Sequence, residues 1–293
     1  YRQNFTIHNP SSETITDYQV NLQLNSTNTQ SNFPWSDSAE LRFVVYDNET
    51  GDTTLIDHFV ESWNQAGQNA SVWIEIPEFE ALNNTILHMY YGNSGAADVS
   101  NATATMLYYD DFEDGNDNGW TEETGSWSVT NGEYQQTTDI TDYLVSSAGS
   151  STWTDYTVEA DINVTNDGTT RPFAGIVTRF QDIDNYYVAV LDDSTTLGIR
   201  NRVGGTWNVE NDYTISFDTL DWTHLQVDIF NDNGQDTLRA HVNGYTHEYN
   251  FTNFNSGKIG LFTHGHQPYF DNVMYAEVSD FYYVWLKQVL EDE

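Results

Sequence analysis

Residues 16–24 read Thr16-Asp17-Tyr18-Gln19-Val20-Asn21-Leu22-Gln23-Leu24, and from Tyr18 onward apolar and polar residues strictly alternate. A strand points successive side chains to opposite faces, so Tyr18, Val20, Leu22 and Leu24 line one face and Gln19, Asn21 and Gln23 the other. Asn4-Phe5-Thr6-Ile7-His8 repeats the pattern, and Val72, Ile74 and Ile76 alternate with Trp73 and Glu75. Clusters of Asn, Gly, Ser and Thr separate these runs, as they do between antiparallel strands. No long helical periodicity precedes the C-terminus. The chain reads as all-β, organised as two β-sandwich domains.

Composition fits a folded sandwich. Hydrophobic residues make up 38% and aromatics 15% of 293 residues, so the core must rest on 19 Tyr, 15 Phe and 9 Trp. Each aromatic buries a large area, which argues against disorder despite the charge. Acids outnumber bases 45 to 9, giving a formal net charge of −36. That surface repels nucleic acid and anionic lipid, so neither is an expected partner. The bases are seven Arg and only Lys258 and Lys287. Acid excess with lysine depletion reads as a halophilic, archaeal protein, whose self-repulsion salt would screen.

There is no cysteine, which removes disulfides, thiolate catalysis and Cys-ligated zinc. No stretch approaches a membrane span. A start at Tyr1 inside a strand suggests a removed leader or a fragment, and membrane contact is expected only through a segment outside this chain. Eight N-glycosylation sequons open at Asn4, Asn25, Asn48, Asn69, Asn83, Asn101, Asn163 and Asn250. Together with the charge they point to an extracellular or cell-surface glycoprotein.

The first domain is placed at 1–104. Its landmarks are Tyr1-Arg2-Gln3, the Thr16–Val20 strand, Leu41-Arg42-Phe43, Glu61-Ser62-Trp63, Val72–Pro77 and Met89-Tyr90-Tyr91-Gly92-Asn93. In that order they resemble a domain family of unassigned function found in archaeal and bacterial surface proteins beside lectin-like modules. The resemblance implies a small β-sandwich and brings no catalytic residue.

The second domain is placed at 105–278. It opens with Tyr109-Asp110-Asp111-Phe112-Glu113-Asp114-Gly115 and continues through Trp127-Ser128-Val129, Tyr156–Ile162 and Ala174–Phe180. Later landmarks are Trp222-Thr223-His224-Leu225, Val242-Asn243-Gly244 and Phe270-Asp271-Asn272-Val273. This outline is similar to the concanavalin A-like jelly roll of laminin-G and lectin-type modules. Asn243-Gly244 independently signals a tight hairpin. Residues 279–293 form an extension or linker in which Phe281, Val284, Trp285, Gln288 and Val289 would share one helical face.

The resemblance extends to laminarinase-type glycoside hydrolases, which carry Glu-x-Asp-x-x-Glu on one strand. Here Glu159 and Asp161 fit, but the second Glu is missing and Asn163 opens a sequon. The triplet is therefore expected to be an outward acidic face, and the protein is expected not to be an enzyme. His264-Gly265-His266 lies at loop spacing and is expected to be incidental. Asp110, Asp111, Asp114 and Asp271 are the candidate ligands for a structural Ca²⁺, because hard oxygen donors from several loops suit that ion.

Four of the nine bases fall within 171–202: Arg171, Arg179, Arg200 and Arg202. In so acidic a chain each needs a carboxylate or a ligand as partner. Arg179, Tyr187, Arg200, Arg202 and Trp207 are the candidate ligand-binding residues, with Arg179 and Tyr187 expected in a concave-face pocket. Tyr186 and Tyr187 cannot share a face. The functional expectation is adhesion or glycan recognition, with glycans or other copies of the chain as partners. The alternative is a structural subunit of a filament, surface layer or virion appendage that assembles by strand addition.

Overall fold

The computed structural model describes residues 1–9, 11–46, 51–138, 142–164, 173–192, 195–217, 221–232, 234–277 and 287–289. It is built almost wholly of antiparallel strands and divides into two compact units, 1–107 with 281–293, and 108–280.

The first unit comprises β1 (Arg2–His8), β2 (Ile15–Asn25), β3 (Arg42–Tyr46), β4 (Thr53–Ile56), β5 (His58–Asn64), β6 (Asn69–Phe79), β7 (Asn84–Tyr90) and the single-turn helix α1 (Ala102–Thr105). The second comprises β8 (Tyr108–Asp110), β9 (Trp120–Glu122), β10 (Trp127–Thr130), β11 (Glu133–Gln136), β12 (Tyr143–Ala148), β13 (Tyr156–Asn163), β14 (Phe173–Asp182) and β15 (Asn185–Asp192). It continues with β16 (Thr196–Val203), β17 (Thr206–Thr214), β18 (Thr223–Asp232), β19 (Gln235–Val242), β20 (Tyr245–Phe251), β21 (Lys258–His264) and β22 (Tyr269–Glu277). A last strand, β23 (Lys287–Val289), belongs to the first unit.

In the first unit, β2-β6-β5 packs on β23-β1-β7-β3-β4. The alternation in β2 sets the register: Val20 faces Ile74 and Leu22 faces Val72 across the β2–β6 ladder. All four are at most 2% exposed. Tyr91 is buried while Tyr90 is exposed, and Gly92 takes the left-handed φ of +88° that lets the chain turn after them. Gly92 N donates to the Glu40 carboxylate at 2.8 Å.

The helical reading of the last residues does not hold for Gln288 and Val289, which lie in β23. Residues 287–289 pair with Thr6, Phe5 and Asn4. The outer edge of β1 offers a row of backbone donors and acceptors, and an extended segment satisfies them where a short helix would not. Phe281, Val284 and Trp285 lie outside the described residues.

In the second unit, a seven-strand path β10-β11-β22-β13-β18-β19-β20, with β8 beside β22, packs on β17-β16-β15-β14-β21-β12-β9. This is a jelly-roll-like sandwich. Val158, Ala160 and Ile162 of β13 meet Ile176, Ala189 and Leu191 in the core, so Thr157, Glu159, Asp161 and Asn163 point outward. The Asn243-Gly244 turn is formed, with φ of +49° and +78°. The second sheet is apolar on its other side too: Val145, Val177, Tyr186, Val188, Val190 and Phe262 form a separate buried cluster there.

Candidate functional site

That second cluster exposes the sheet's shape. Tyr143 on β12 and Trp207 on β17 stand five strand steps apart in the sheet order, which would separate them by ~24 Å in a flat sheet. Their rings instead stack at 4.5 Å, and Trp207 also stacks on Phe262 at 5.4 Å. The β16–β17 hairpin has therefore curled across the sheet face and made it concave. Two backbone N–H groups tie its tip to the β14–β15 turn: Gly205 N donates to the Asp184 carbonyl at 3.1 Å, and Gly204 N to the Asn185 side-chain Oδ1 at 3.0 Å.

Half-buried on this concave face are Tyr143, Phe173, Arg202, Trp207 and His264. Arg202 sits directly across the β16–β17 ladder from Trp207. Its guanidinium lies 5.2 Å from the Tyr143 ring centroid and pairs with Asp184 at 3.2 Å. Its Nε is buried without a partner, and the buried Tyr186 hydroxyl lies near it without hydrogen-bond geometry. His264 packs 4.9 Å from Tyr143, and burial lowers its pKa, leaving a neutral ring able to donate and to accept. Flat rings beside unsatisfied polar atoms suit a sugar, which has an apolar ring face and a hydroxyl rim.

The five residues expected to bind ligand are not brought together. Arg202 and Trp207 share the concave face. Arg200 points to the same face but is 2% exposed and closed into ion pairs with Asp192, at 3.5 Å, and Asp212. Gly198 leaves the room it needs: a Cβ there would stand 2.2 Å from Arg200 Nη1. Arg171 lies outside the described residues.

Arg179 and Tyr187 require correction. Both are fully buried, and neither lies in the concave pocket. A register shift in β14 after Thr178, with Arg179 at φ +52°, places its guanidinium against Asp236 at 3.4 Å and Asp155 at 3.5 Å. Tyr187 faces the inter-sheet core, stacked on Phe251 at 4.1 Å, and its hydroxyl accepts from Asn253 N and Phe254 N at 2.8 Å each. Tyr186 and Tyr187 do face opposite sides. Tyr143, Phe173 and His264 were not legible as site residues; their only signal is parity along β12, β14 and β21.

The four expected calcium ligands are likewise divided. Asp110 spends Oδ1 on Phe112 N and Oδ2 on the Trp120 indole, both at 2.9 Å. Asp111 and Asp114 each cap a backbone N–H two residues on. Asp271 has its pKa pushed up to about 6 by burial and by Asp161, Asp111 and Glu113. Among the described residues these four do not gather three ligand atoms within 4.8 Å of one another, and neither do His264 and His266 with any acid.

Glu159 and Asp161 lie on the outward face of the other sheet, on a central strand rather than an edge. They are bridged by His224, whose Nδ1 meets Asp161 at 2.9 Å and Nε2 meets Glu159 at 3.1 Å. Burial opposes the charged imidazole, but the two carboxylates outweigh it and push its pKa up to about 10. A raised histidine stabilises fully below its unfolded value and loses that contribution as pH rises through the folded one. Stability is thus expected to decline between pH 6.5 and about 10. Thermal melts across that window should show the decline in the native chain and a flatter profile in His224→Asn; matching profiles would remove the bridge's role.

Comparison with known families gives two matches. A 3-keto-alpha-glucoside-1,2-lyase-like domain matches residues 109–275, and DUF2341, a domain of unknown function, matches 37–130. Among solved structures, the carbohydrate-binding module CBM66 from Bacillus subtilis is 22% identical, covering 54% of this chain and 96% of that one, with a TM-score of 0.48. A legume lectin-like domain from Entamoeba histolytica is 12% identical over 55% of this chain and 91% of that one, with a TM-score of 0.42. A xylan β-1,4-xylosidase from Bacillus halodurans C-125 is 12% identical over 80% of this chain and 52% of that one, with a TM-score of 0.43. No curated protein sequence matches the chain.

Proposed function

Because the chain belongs, over residues 109–275, to the 3-keto-alpha-glucoside-1,2-lyase-like domain family, we propose that its second unit recognises saccharides on the concave face of the β17–β9 sheet. The observation that carries this reading is the Trp207–Tyr143 stack with Arg202 over the Tyr143 ring. Recognition rather than turnover is the reading favoured by the placement of Glu159 and Asp161. They are the nearest match to a hydrolase triplet, and they face away from the cleft. A concanavalin A-like ancestry of the sandwich belongs to the same proposal.

The setting is proposed to be extracellular, at a halophile's surface. Net charge −36 supports it, as do the exposed sequon residues Asn69, Asn83, Asn101 and Asn250. Asn4, Asn25 and Asn163 are half-buried, and Asn48 lies outside the described residues. The first unit would space or present the second. A filament or surface-layer subunit remains the alternative, but strand addition at β1 would require displacing β23.

A glycan array probed at high salt, with native chain, Trp207→Ala and Arg202→Gln, tests the recognition reading. Binding by the native chain that both variants lose supports it; an array with no bound glycan defeats it. Structural calcium at Asp110, Asp111, Asp114 and Asp271 is retained as a second element, supported by the negative charge that Asp161, Asp111 and Glu113 place around Asp271. A bound cation would favour the ionised form of Asp271, so calcium is expected to raise the melting temperature and a chelator to reverse the rise. Melts unchanged by either reagent would discard the ion.

A further inference from the structure

Among the described residues, three cations lie on the concave side of the β17–β9 sheet, and each is already paired with a carboxylate. Arg200 is sealed between Asp192 and Asp212, and Arg202 Nη2 meets Asp184 Oδ1 at 3.2 Å. Lys258, four residues before Phe262 on β21, meets Glu123 at 3.8 Å. None presents the open, uncompensated charge that a carboxylate or sulfate ligand takes. Resting on the saccharide reading above, we propose that Asp184 and Asp142 set the specificity of this face. They accept the hydroxyls of a neutral sugar and turn away uronate and sulfated ones.

Asp184 is held at the rim by the chain itself. It lies in the turn between β14 and β15, where its carbonyl accepts from Gly205 N at 3.1 Å. Its side chain is 52% exposed, and Oδ1 serves Arg202. Its Oδ2 has no partner among the described residues. Asp142 stands at the root of the Tyr143 ring, exposed, with Oδ1 accepting from Tyr143 N at 2.8 Å. Its charge reaches both the Tyr186 hydroxyl and His264, so it acts on the same face. The Tyr143–Trp207 stack thus has one open carboxylate beside Arg202 and a second beside Tyr143.

An ionised carboxylate only accepts hydrogen bonds. A sugar hydroxyl can donate to it, whereas a uronate or sulfate group brings acceptors and like charge. The buried Arg202 Nε and Tyr186 hydroxyl, both without a partner among the described residues, complement the oxygen of such a hydroxyl. A neutral polyhydroxylated ring on the aromatic stack satisfies both sets of atoms. An acidic ring satisfies only the donors.

The test is an array of neutral, uronate-bearing and sulfated glycans, probed at high salt with the native chain, Trp207→Ala, Asp184→Asn and Asp142→Asn. At 1 M salt the Debye length is ~3 Å, so distant charge is screened and only groups in contact discriminate. The native chain is expected to hold neutral members through Trp207 and to leave acidic ones unbound. Each aspartate variant should weaken neutral binding about tenfold. Asp184→Asn should also narrow the preference for neutral over uronate members, because it releases the Arg202 guanidinium. Both carboxylates are exposed, so melts should not change. Trp207-dependent binding of acidic glycans by the native chain would overturn the selection and leave recognition standing. So would neutral binding undiminished in either aspartate variant, or an unchanged preference in Asp184→Asn. An array with no Trp207-dependent binding would overturn both.

Discussion

Arg179→Met is expected to destabilise the second unit by about 3–5 kcal/mol, the cost of removing one partner from a buried ion pair. The guanidinium is fully buried, and Asp236 beside it is only 2% exposed. Without Arg179 the Asp236 carboxylate would sit in the interior with Asn231 Nδ2, at 3.1 Å, as its remaining side-chain donor. Asp155 is 27% exposed and can turn toward water, so Asp236 carries most of the loss. Replacing both members, as Arg179→Met with Asp236→Leu, should recover much of the stability, because an apolar pair of similar volume often replaces a buried ion pair at no cost. Denaturant melts at fixed salt decide the matter. A single variant within about 1 kcal/mol of the native chain would show that the pair contributes nothing net.

Trp207→Ala is expected to weaken the proposed saccharide binding at the concave face by about 2 kcal/mol or more, as for aromatic anchors at binding hot spots. The indole is the ring that closes the curled sheet, stacked on both Tyr143 and Phe262. Its removal also uncovers those rings and frees the β16–β17 hairpin, so some stability will go with it. Arg202→Gln separates the two effects. It leaves the stack intact while removing the cation from above Tyr143 and breaking the Asp184 pair. That pair is exposed on the Asp184 side and contributes little to stability. Affinity lost in Arg202→Gln with an unchanged melt assigns the face to ligand. Affinity retained in both variants, measured by calorimetry against an array-identified glycan, would move recognition elsewhere.

The site was half legible, for a reason visible in β15. Its residues Tyr186-Tyr187-Val188-Ala189-Val190-Leu191 are all fully buried, because odd positions enter the inter-sheet core and even ones the concave-face cluster. A run apolar on both faces carries no parity signal, so nothing local distinguishes Tyr187, a core residue, from Tyr186, which faces the cleft. Arg179 was misplaced for a related reason. One shifted register in β14 re-aimed it, and such irregularities leave no periodic trace. Arg202 and Trp207 stand out in the sequence because a retained cation and an aromatic on a polar hairpin are unusual in themselves, and the structure places both on the concave face.

Period-two alternation and turn residues determined the all-β class and the Asn243-Gly244 hairpin, because each depends on neighbours within a few positions. Composition likewise determined the acidity and the absence of disulfides. The tertiary structure alone decided which face became concave, which arginine was sealed in the interior and which rings met. Curling a sheet until β17 lies over β12 depends on closure between residues more than sixty positions apart, and no local pattern encodes that distance.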